Sequence, residues 1–123
     1  MTVPPARFPG QAPIEAYGNG GFRFAGMSHR GSILCLPSGI HAWQPAEPLD
    51  LPSLAPALAE KDALELLLVG TGPRQQFPSA EMRRAFVEAA VTLETMNTGA
   101  ACRTYNVLLA EGRVVGAALV AVD

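Results

Sequence analysis

Residues 64–73 read LELLLVGTGP, and this stretch decides the fold class of the chain. Residues 64–69 form a short, nearly continuous apolar run, which predicts a β-strand that is covered on both faces. The run stops at Gly70-Thr71-Gly72-Pro73, where small residues and a proline favour a tight connection. The sequence therefore predicts a buried strand at the start of the second half of the chain.

Two helices and two further strands follow this strand, with short loops between them. Ser79 is a suitable N-cap for the first helix, and apolar residues at i, i+3, i+4 and i+7 give that helix one buried stripe. The predicted elements are a helix over 79–90, a strand over 91–95, a helix capped by Asn97 or Thr98 that runs to Ala110, and a central strand over 113–122. This alternation predicts a right-handed α/β unit with a largely parallel sheet.

The first half of the chain adds β structure. Short β segments are predicted between residues 16 and 43, and Ser53 is a suitable cap for a short helix over 54–60. Together the halves predict a single compact three-layer α/β domain over 14–123, with a mixed, largely parallel central sheet, helices and an N-terminal β layer. The proline-rich residues 1–13 are expected to form a flexible N-terminal tail.

Composition argues against several classes of protein. The net charge is −2 and Lys61 is the only lysine, so nucleic-acid binding through clustered positive charge is not expected. No stretch approaches the roughly 20 apolar residues that span a bilayer, and residues 1–13 lack the apolar core of a signal peptide. We therefore expect a cytoplasmic protein without a transmembrane segment, with Cys35 and Cys102 as buried free thiols.

Four segments of the second half resemble a known family. They are LLLVGTGP (66–73), ETMNT (94–98), AACRTYNVLL (100–109), which is the most specific, and EGRVV (111–115). They resemble a domain-of-unknown-function family that includes a mitochondrial assembly factor for respiratory complex I and an adipogenesis-associated domain protein. The resemblance covers roughly residues 14–122 and implies a compact three-layer α/β fold. It points to protein binding, which is how the mitochondrial member acts, and no cofactor is expected. It does not imply a catalytic activity, because no general biochemical activity is established for the family.

The Gly70-Thr71-Gly72 turn and the N-terminus of the 98–110 helix both follow strands of the predicted parallel sheet. They are therefore expected at the same edge of the sheet, where α/β proteins bind ligands. Thr98, Arg103 and Asn106 are the polar side chains that this arrangement brings toward the turn. Free amides and the dipole of the helix would suit an anion or the carboxylate of a partner.

A structural interpretation of the same residues stays open. In it the turn only connects two elements, Thr98 caps the helix, and Asn106 satisfies backbone groups. Arg103 then pairs with an acid such as Glu94 or Glu111. The turn matches neither the dinucleotide fingerprint nor the phosphate loop, because Pro73 and Arg74 follow it.

The sequence contains no recognisable catalytic or metal-binding set. Cys102 has no neighbouring base in the sequence, since His29 and His41 lie in the first half, and no cysteines or histidines have zinc-ligand spacing. An enzymatic role is therefore left open but is less favoured. The leading hypothesis is a non-enzymatic protein-binding module whose partners are respiratory-complex subunits or their assembly proteins, with homo-oligomers also open. The alternative is a small-molecule-binding protein or enzyme with a pocket for an anionic ligand, formed by the 70–72 turn and the N-terminus of the 98–110 helix.

Overall fold

The computed structural model describes residues 8–123, and two β-sheets with three α-helices build it. The first sheet is antiparallel, with the order β1 (Ile14–Gly18), β2 (Gly21–Phe24), β3 (Met27–Arg30). The second sheet contains β4 (Ser32–Leu36), β5 (Gly39–Trp43), β6 (Leu66–Gly70), β7 (Thr92–Met96) and β8 (Val115–Leu119). The helices are α1 (Ala55–Leu58), α2 (Ala80–Glu88) and α3 (Thr98–Ala110).

The five-stranded sheet is mixed and has the order β5-β4-β8-β6-β7. Strands β8, β6 and β7 run parallel, and β4 pairs antiparallel with β8 and β5. Strand β8 is central, as the apolar run over 113–122 predicts. The α/β fold class and the mixed sheet of the prediction are confirmed.

The two long helices cover opposite faces of this sheet because successive side chains of a strand point to opposite sides. Leu67 and Val69 of β6 share a buried cluster with Phe86 of α2. Leu68 shares the other cluster with Tyr105 of α3, and the three-stranded sheet packs into that second cluster as well. The result is three layers, with the central sheet in the middle.

The region of the predicted 54–60 helix differs from the prediction. The structure has a 3-10 turn at Pro52–Leu54 followed by the four-residue helix α1. Ser53 lies inside that turn and caps nothing: its hydroxyl donates to Asp50 Oδ1 at 2.6 Å and accepts from the Ala46 amide at 2.8 Å. Hydrogen bonds to Asp50 and Ala46 occupy the Ser53 hydroxyl in place of the helix amides. The predicted cap is therefore wrong.

The predicted N-terminal tail falls partly outside the described residues, which begin at Phe8. Phe8 forms an antiparallel bridge with Ile40, through N–O distances of 3.2 and 2.9 Å. The Gln11 amide group donates to the Val115 carbonyl at 2.7 Å, and Ala12 is buried. Residues 8–13 therefore lie against the domain.

Among residues 8–123, the structure contains no helix that is both long enough and apolar enough to traverse a bilayer.

Helix α3 lies unusually close to strand β6, and Gly70 makes this approach possible. A Cβ atom at position 70 would lie 2.9 Å from Thr98 Cα and 3.2 Å from Ala101 Cβ. Real Cβ atoms are essentially never that close to a backbone carbon. Any side chain at Gly70 would therefore push α3 away from the sheet.

We expect Gly70→Ala to destabilise the protein by about 1–3 kcal/mol, because the added methyl group overpacks the junction of α3 and β6. Urea unfolding followed by circular dichroism measures this change. Gly10→Ala is the matched control, since a Cβ there has its nearest neighbour at 4.0 Å. Equal stability of the two variants would contradict the role assigned to Gly70.

Candidate functional site

The carboxyl ends of the parallel strands meet the N-terminus of α3 at one edge of the sheet. The Thr71 amide donates to the Met96 carbonyl at 2.9 Å, and the Thr98 amide donates to the Gly72 carbonyl at 2.8 Å. The Val120 amide donates to the Gly70 carbonyl at 2.9 Å. The structure thus brings the 70–72 turn and the start of α3 together.

Thr98 is the centre of this junction and is fully buried. Its hydroxyl donates to the Val120 carbonyl at 2.7 Å and accepts from the Gly72 amide at 3.0 Å. One side chain therefore joins the ends of β6 and β8 to the first turn of α3. The cap of the helix is Asn97, whose Oδ1 accepts from the Ala100 amide at 2.8 Å.

Most backbone amides at this edge already donate hydrogen bonds within the protein. Those of Thr71, Gly72, Thr98 and Ala100 each donate to a carbonyl or side-chain oxygen of the chain. An anion would have to displace these bonds, since each donor has one hydrogen to give. In the first turn of α3 only the Gly99 amide has no acceptor among the described residues, and one amide is fewer than the set that binds an anion at a helix N-terminus.

Asn106 also makes internal bonds. Its Nδ2 donates to the Ile14 carbonyl and its Oδ1 accepts from the Ile14 amide, both at 2.8 Å. The Asn106 side chain makes the two backbone hydrogen bonds that a neighbouring strand would otherwise make to Ile14. These bonds hold β1 against α3. This matches the structural interpretation of Asn106.

Arg103 differs from the other predicted site residues because its side chain is exposed. Its Nη1 donates to the Tyr17 hydroxyl at 3.2 Å. Within residues 8–123 it forms no ion pair, so the expected pairing with Glu94 or Glu111 is absent there. Val107, one helical turn later on the same side of α3, is 57% exposed, and Tyr17 is 42% exposed.

We name the exposed group of Tyr17, Arg103 and Val107 the Arg103 surface. Sequence reasoning identifies Arg103 as a candidate, but it places Tyr17 only within the β segments predicted between residues 16 and 43 and Val107 only within the predicted helix that runs to Ala110. Tyr17 and Arg103 are 86 positions apart, so no local pattern joins them. The i, i+4 spacing of Arg103 and Val107 was the available signal.

A cleft opens on the other side of the same sheet edge, between α2, strand β7 and the loop over residues 71–79. Its volume is about 290 Å³, and Thr71 lines it. A second hollow of about 520 Å³ continues past Thr71 and Gly72 toward Pro45 and Val120. None of the other predicted site residues lines the 290 Å³ cleft.

Both cysteines are buried and free. Burial raises the pKa of Cys102 to about 12, although the neighbouring Arg103 charge lowers it. Burial, and then the nearby Cys102, hold the pKa of Cys35 well above its usual range. Neither thiol is therefore suited to act as a nucleophile, because the thiolate is the reactive form.

The Ser38–His41 contact, at 2.9 Å, is a second arrangement that could suggest nucleophilic chemistry. The Ser38 hydroxyl, however, donates to Glu60 Oε2 at 2.6 Å, and the Ser38 amide donates to Glu60 Oε1 at 2.9 Å. A hydroxyl that gives its hydrogen to a carboxylate leaves the imidazole as the donor, which is the reverse of a nucleophile–base pair. These bonds fix the turn between β4 and β5. The described residues contain no group of three or more metal-ligating side chains.

A family model described as "Protein of unknown function (DUF498/DUF598)" matches residues 14–120. An uncharacterised protein of Rhodobacter capsulatus is 40% identical over 112 residues, which are 91% of this chain and 86% of that protein. NADH dehydrogenase [ubiquinone] 1 alpha subcomplex assembly factor 3 of Mus musculus is 29% identical over 94% of this chain, and the match spans 63% of that longer protein. Among solved structures, an outer membrane protein from Bartonella henselae is 52% identical with a TM-score of 0.91, over 94% of this chain and 99% of that one.

The first prediction from this site concerns Thr98. Thr98→Val keeps the shape of the side chain but leaves the Gly72 amide and the Val120 carbonyl without their partner, which should cost about 1–3 kcal/mol. Urea unfolding measures the loss. Thr92→Val on the exposed side of β7 is the matched control and should change stability by less than about 0.5 kcal/mol. A Thr98 variant as stable as this control would show that the hydroxyl is dispensable.

A second prediction concerns the thiols. A shift of the Cys102 pKa from 9.0 to about 12 lowers its thiolate fraction about a thousandfold near pH 8. We expect Ellman's reagent to label the native protein slowly, with a rate that rises about tenfold per pH unit below the pKa. Both thiols should react at once in denaturant. A rapid stoichiometric phase in the native protein would refute the assignment of both cysteines to the core.

Proposed function

The chain belongs to the DUF498/DUF598 family of proteins of unknown function, and on that premise we propose that it is a non-enzymatic protein-binding module that assists assembly of a respiratory membrane complex. Relatives named assembly factor 3 of the NADH dehydrogenase alpha subcomplex support the assembly role. This chain spans 63% of the mouse factor and 59% of the human one. The partners in this proposal are subunits of such a complex or its other assembly proteins.

The observation that carries the proposal is the contrast between the satisfied sheet edge and the exposed Arg103 surface. Thr98, Asn106 and the amides of Thr71 and Gly72 are bonded within the chain, so Arg103 is the exposed polar side chain among the predicted site residues. Tyrosine and arginine are enriched among residues that dominate binding energy at protein interfaces. An apolar neighbour such as Val107 adds area that excludes water from the contact.

The chemistry of the Arg103 surface defines what a partner must offer. The guanidinium group presents several donors in a plane, and one of them already bonds the Tyr17 hydroxyl. A carboxylate or a row of backbone carbonyls on the partner would complete the remaining donors. An apolar side chain on the partner would pack against Val107. Within the proposal the protein acts in the cytoplasm, where buried free thiols such as Cys35 and Cys102 persist.

The alternative of a small anionic ligand at the 70–72 turn has weaker support. The amides that would bind the anion donate to oxygens of the chain, and Gly72 and Thr98 are buried. The hollow of about 520 Å³ that passes Thr71 and Gly72 has Glu47 and no positively charged residue in its lining, so it does not favour an anion.

The test is an affinity pull-down of the tagged protein in mild detergent from its native cells, with mass spectrometry of the recovered proteins. We expect subunits or assembly proteins of a respiratory NADH dehydrogenase, and a reduction of at least tenfold for Arg103→Glu, as for a residue central to an interface. Arg84→Glu is the matched control, because Arg84 is an exposed arginine on α2, the helix on the opposite face of the sheet. Equal recovery with both variants would exclude the Arg103 surface. Recovery of the protein alone would exclude the assembly role.

A further inference from the structure

We infer that the cleft between α2 and strand β7 binds a neutral, largely apolar small molecule that carries a carbonyl or hydroxyl group. This inference does not depend on the proposed protein-binding role. The Arg103 surface lies with α3 on one face of the central sheet, and the cleft lies with α2 on the other. An experiment that excludes one of the two proposed sites therefore does not affect the other.

The connectivity of the sheet creates the cleft. The chain leaves β6 toward α2 on one face and leaves β7 toward α3 on the opposite face. Two neighbouring parallel strands whose connections separate in this way leave a crevice at their carboxyl ends, which is the common ligand site of open α/β sheets. The cleft occupies this crevice, on the α2 side.

Most of the residues that line the cleft are apolar. Leu54, Val69 and Met82 form buried parts of its lining, and Leu93 is partly buried beside them. Phe77 also lines the cleft, and its large apolar ring is 80% exposed to solvent. A ligand in the cleft would cover part of that ring.

The lining contains no charged residue. A charged ligand would lose its hydration in this cleft without gaining an opposite charge, so the lining selects a neutral molecule. The volume of about 290 Å³ is at the lower end of ordinary ligand pockets and suits one or two rings.

Two polar groups of the lining are available to orient such a ligand. The Thr95 hydroxyl and the Gln76 side-chain amide make no hydrogen bond to any residue of the described chain. Each can both donate and accept, so each can bond a carbonyl or a hydroxyl group. By contrast, the Thr71 hydroxyl is committed: it donates to the Arg74 carbonyl at 2.7 Å and accepts from the Gln76 amide of the backbone at 2.9 Å.

The loop that forms the mouth of the cleft is tied to the sheet. Gln75 Nε2 donates to the Thr95 carbonyl at 2.7 Å, and Ser79 caps α2 by accepting from the Met82 amide at 3.1 Å. The cleft is therefore formed before a ligand arrives, which is usual for small-molecule sites.

The experiment is a pair of titrations of the isotope-labelled protein followed by amide chemical shifts. Benzyl alcohol is the neutral probe and benzoate is a charged probe of similar size. We expect benzyl alcohol to cause saturable shifts at Thr71, Phe77, Leu93 and Thr95, and benzoate to bind at least tenfold more weakly. Absence of saturable shifts, shifts centred elsewhere, or equal binding of the two probes would overturn the inference.

Variants separate the cleft from general apolar binding. Leu93→Asp places a charge in the cleft and should abolish the shifts caused by benzyl alcohol. Val114→Asp is its control, since Val114 is an exposed valine just before β8, at the opposite end of the strands. If Leu93→Asp does not fold, Thr95→Val keeps the apolar lining and should still weaken benzyl alcohol binding severalfold. Binding by Thr95→Val that equals the unchanged protein would remove the hydroxyl from the inferred site.

Discussion

The placement of α3 depends on the contact between Gly70, which has no side chain, and Thr98, whose hydroxyl is buried. Gly70 allows Thr98 Cα to approach the end of β6, and the Thr98 hydroxyl then reaches both the Gly72 amide and the Val120 carbonyl. Because the helix begins at this point, its rotation is set for its whole length. Asn106 consequently meets the edge of β1, and Arg103 emerges beside Tyr17. The small sheet, the Arg103 surface and the end of β8 all follow from one junction.

Most of the second half could be predicted because its signals are local. Ser79 caps α2 as its position suggests, the spacing of Met82 and Phe86 marks the buried side, and Gly112 takes the positive φ of 77° that ends α3. Ser53 shows the limit of such signals. Its cap pattern is present in the sequence, but Asp50 and Ala46 bind the hydroxyl in a loop. A side chain with two competing sets of partners cannot be assigned from spacing alone.

The candidate site was predictable in position but not in role. The rule that parallel strands end at one edge brings the 70–72 turn to Thr98, as the sequence suggests. Whether a polar group there faces a ligand or the protein depends on contacts across the chain, and Asn106 bonds Ile14 at a separation of 92 residues. The same holds for Tyr17, which reaches Arg103 only after β1 has docked on α3. Such contacts leave no periodic trace in the sequence.

The two faces of the central sheet present different groups to their surroundings. Burial raises the pKa of Cys35 and Cys102 and so keeps both thiols away from the reactive thiolate form. In the described part of the chain every buried side-chain polar atom has a hydrogen-bond partner, so the interior is committed to holding the fold. The groups assigned to binding lie near solvent. They are the Arg103 guanidinium on one face, one donor of which bonds the Tyr17 hydroxyl, and the Thr95 hydroxyl and Gln76 side-chain amide in the cleft on the other. Free donors and acceptors beside apolar area are what recognition requires, and the rigid junction at Thr98 holds both faces in fixed positions.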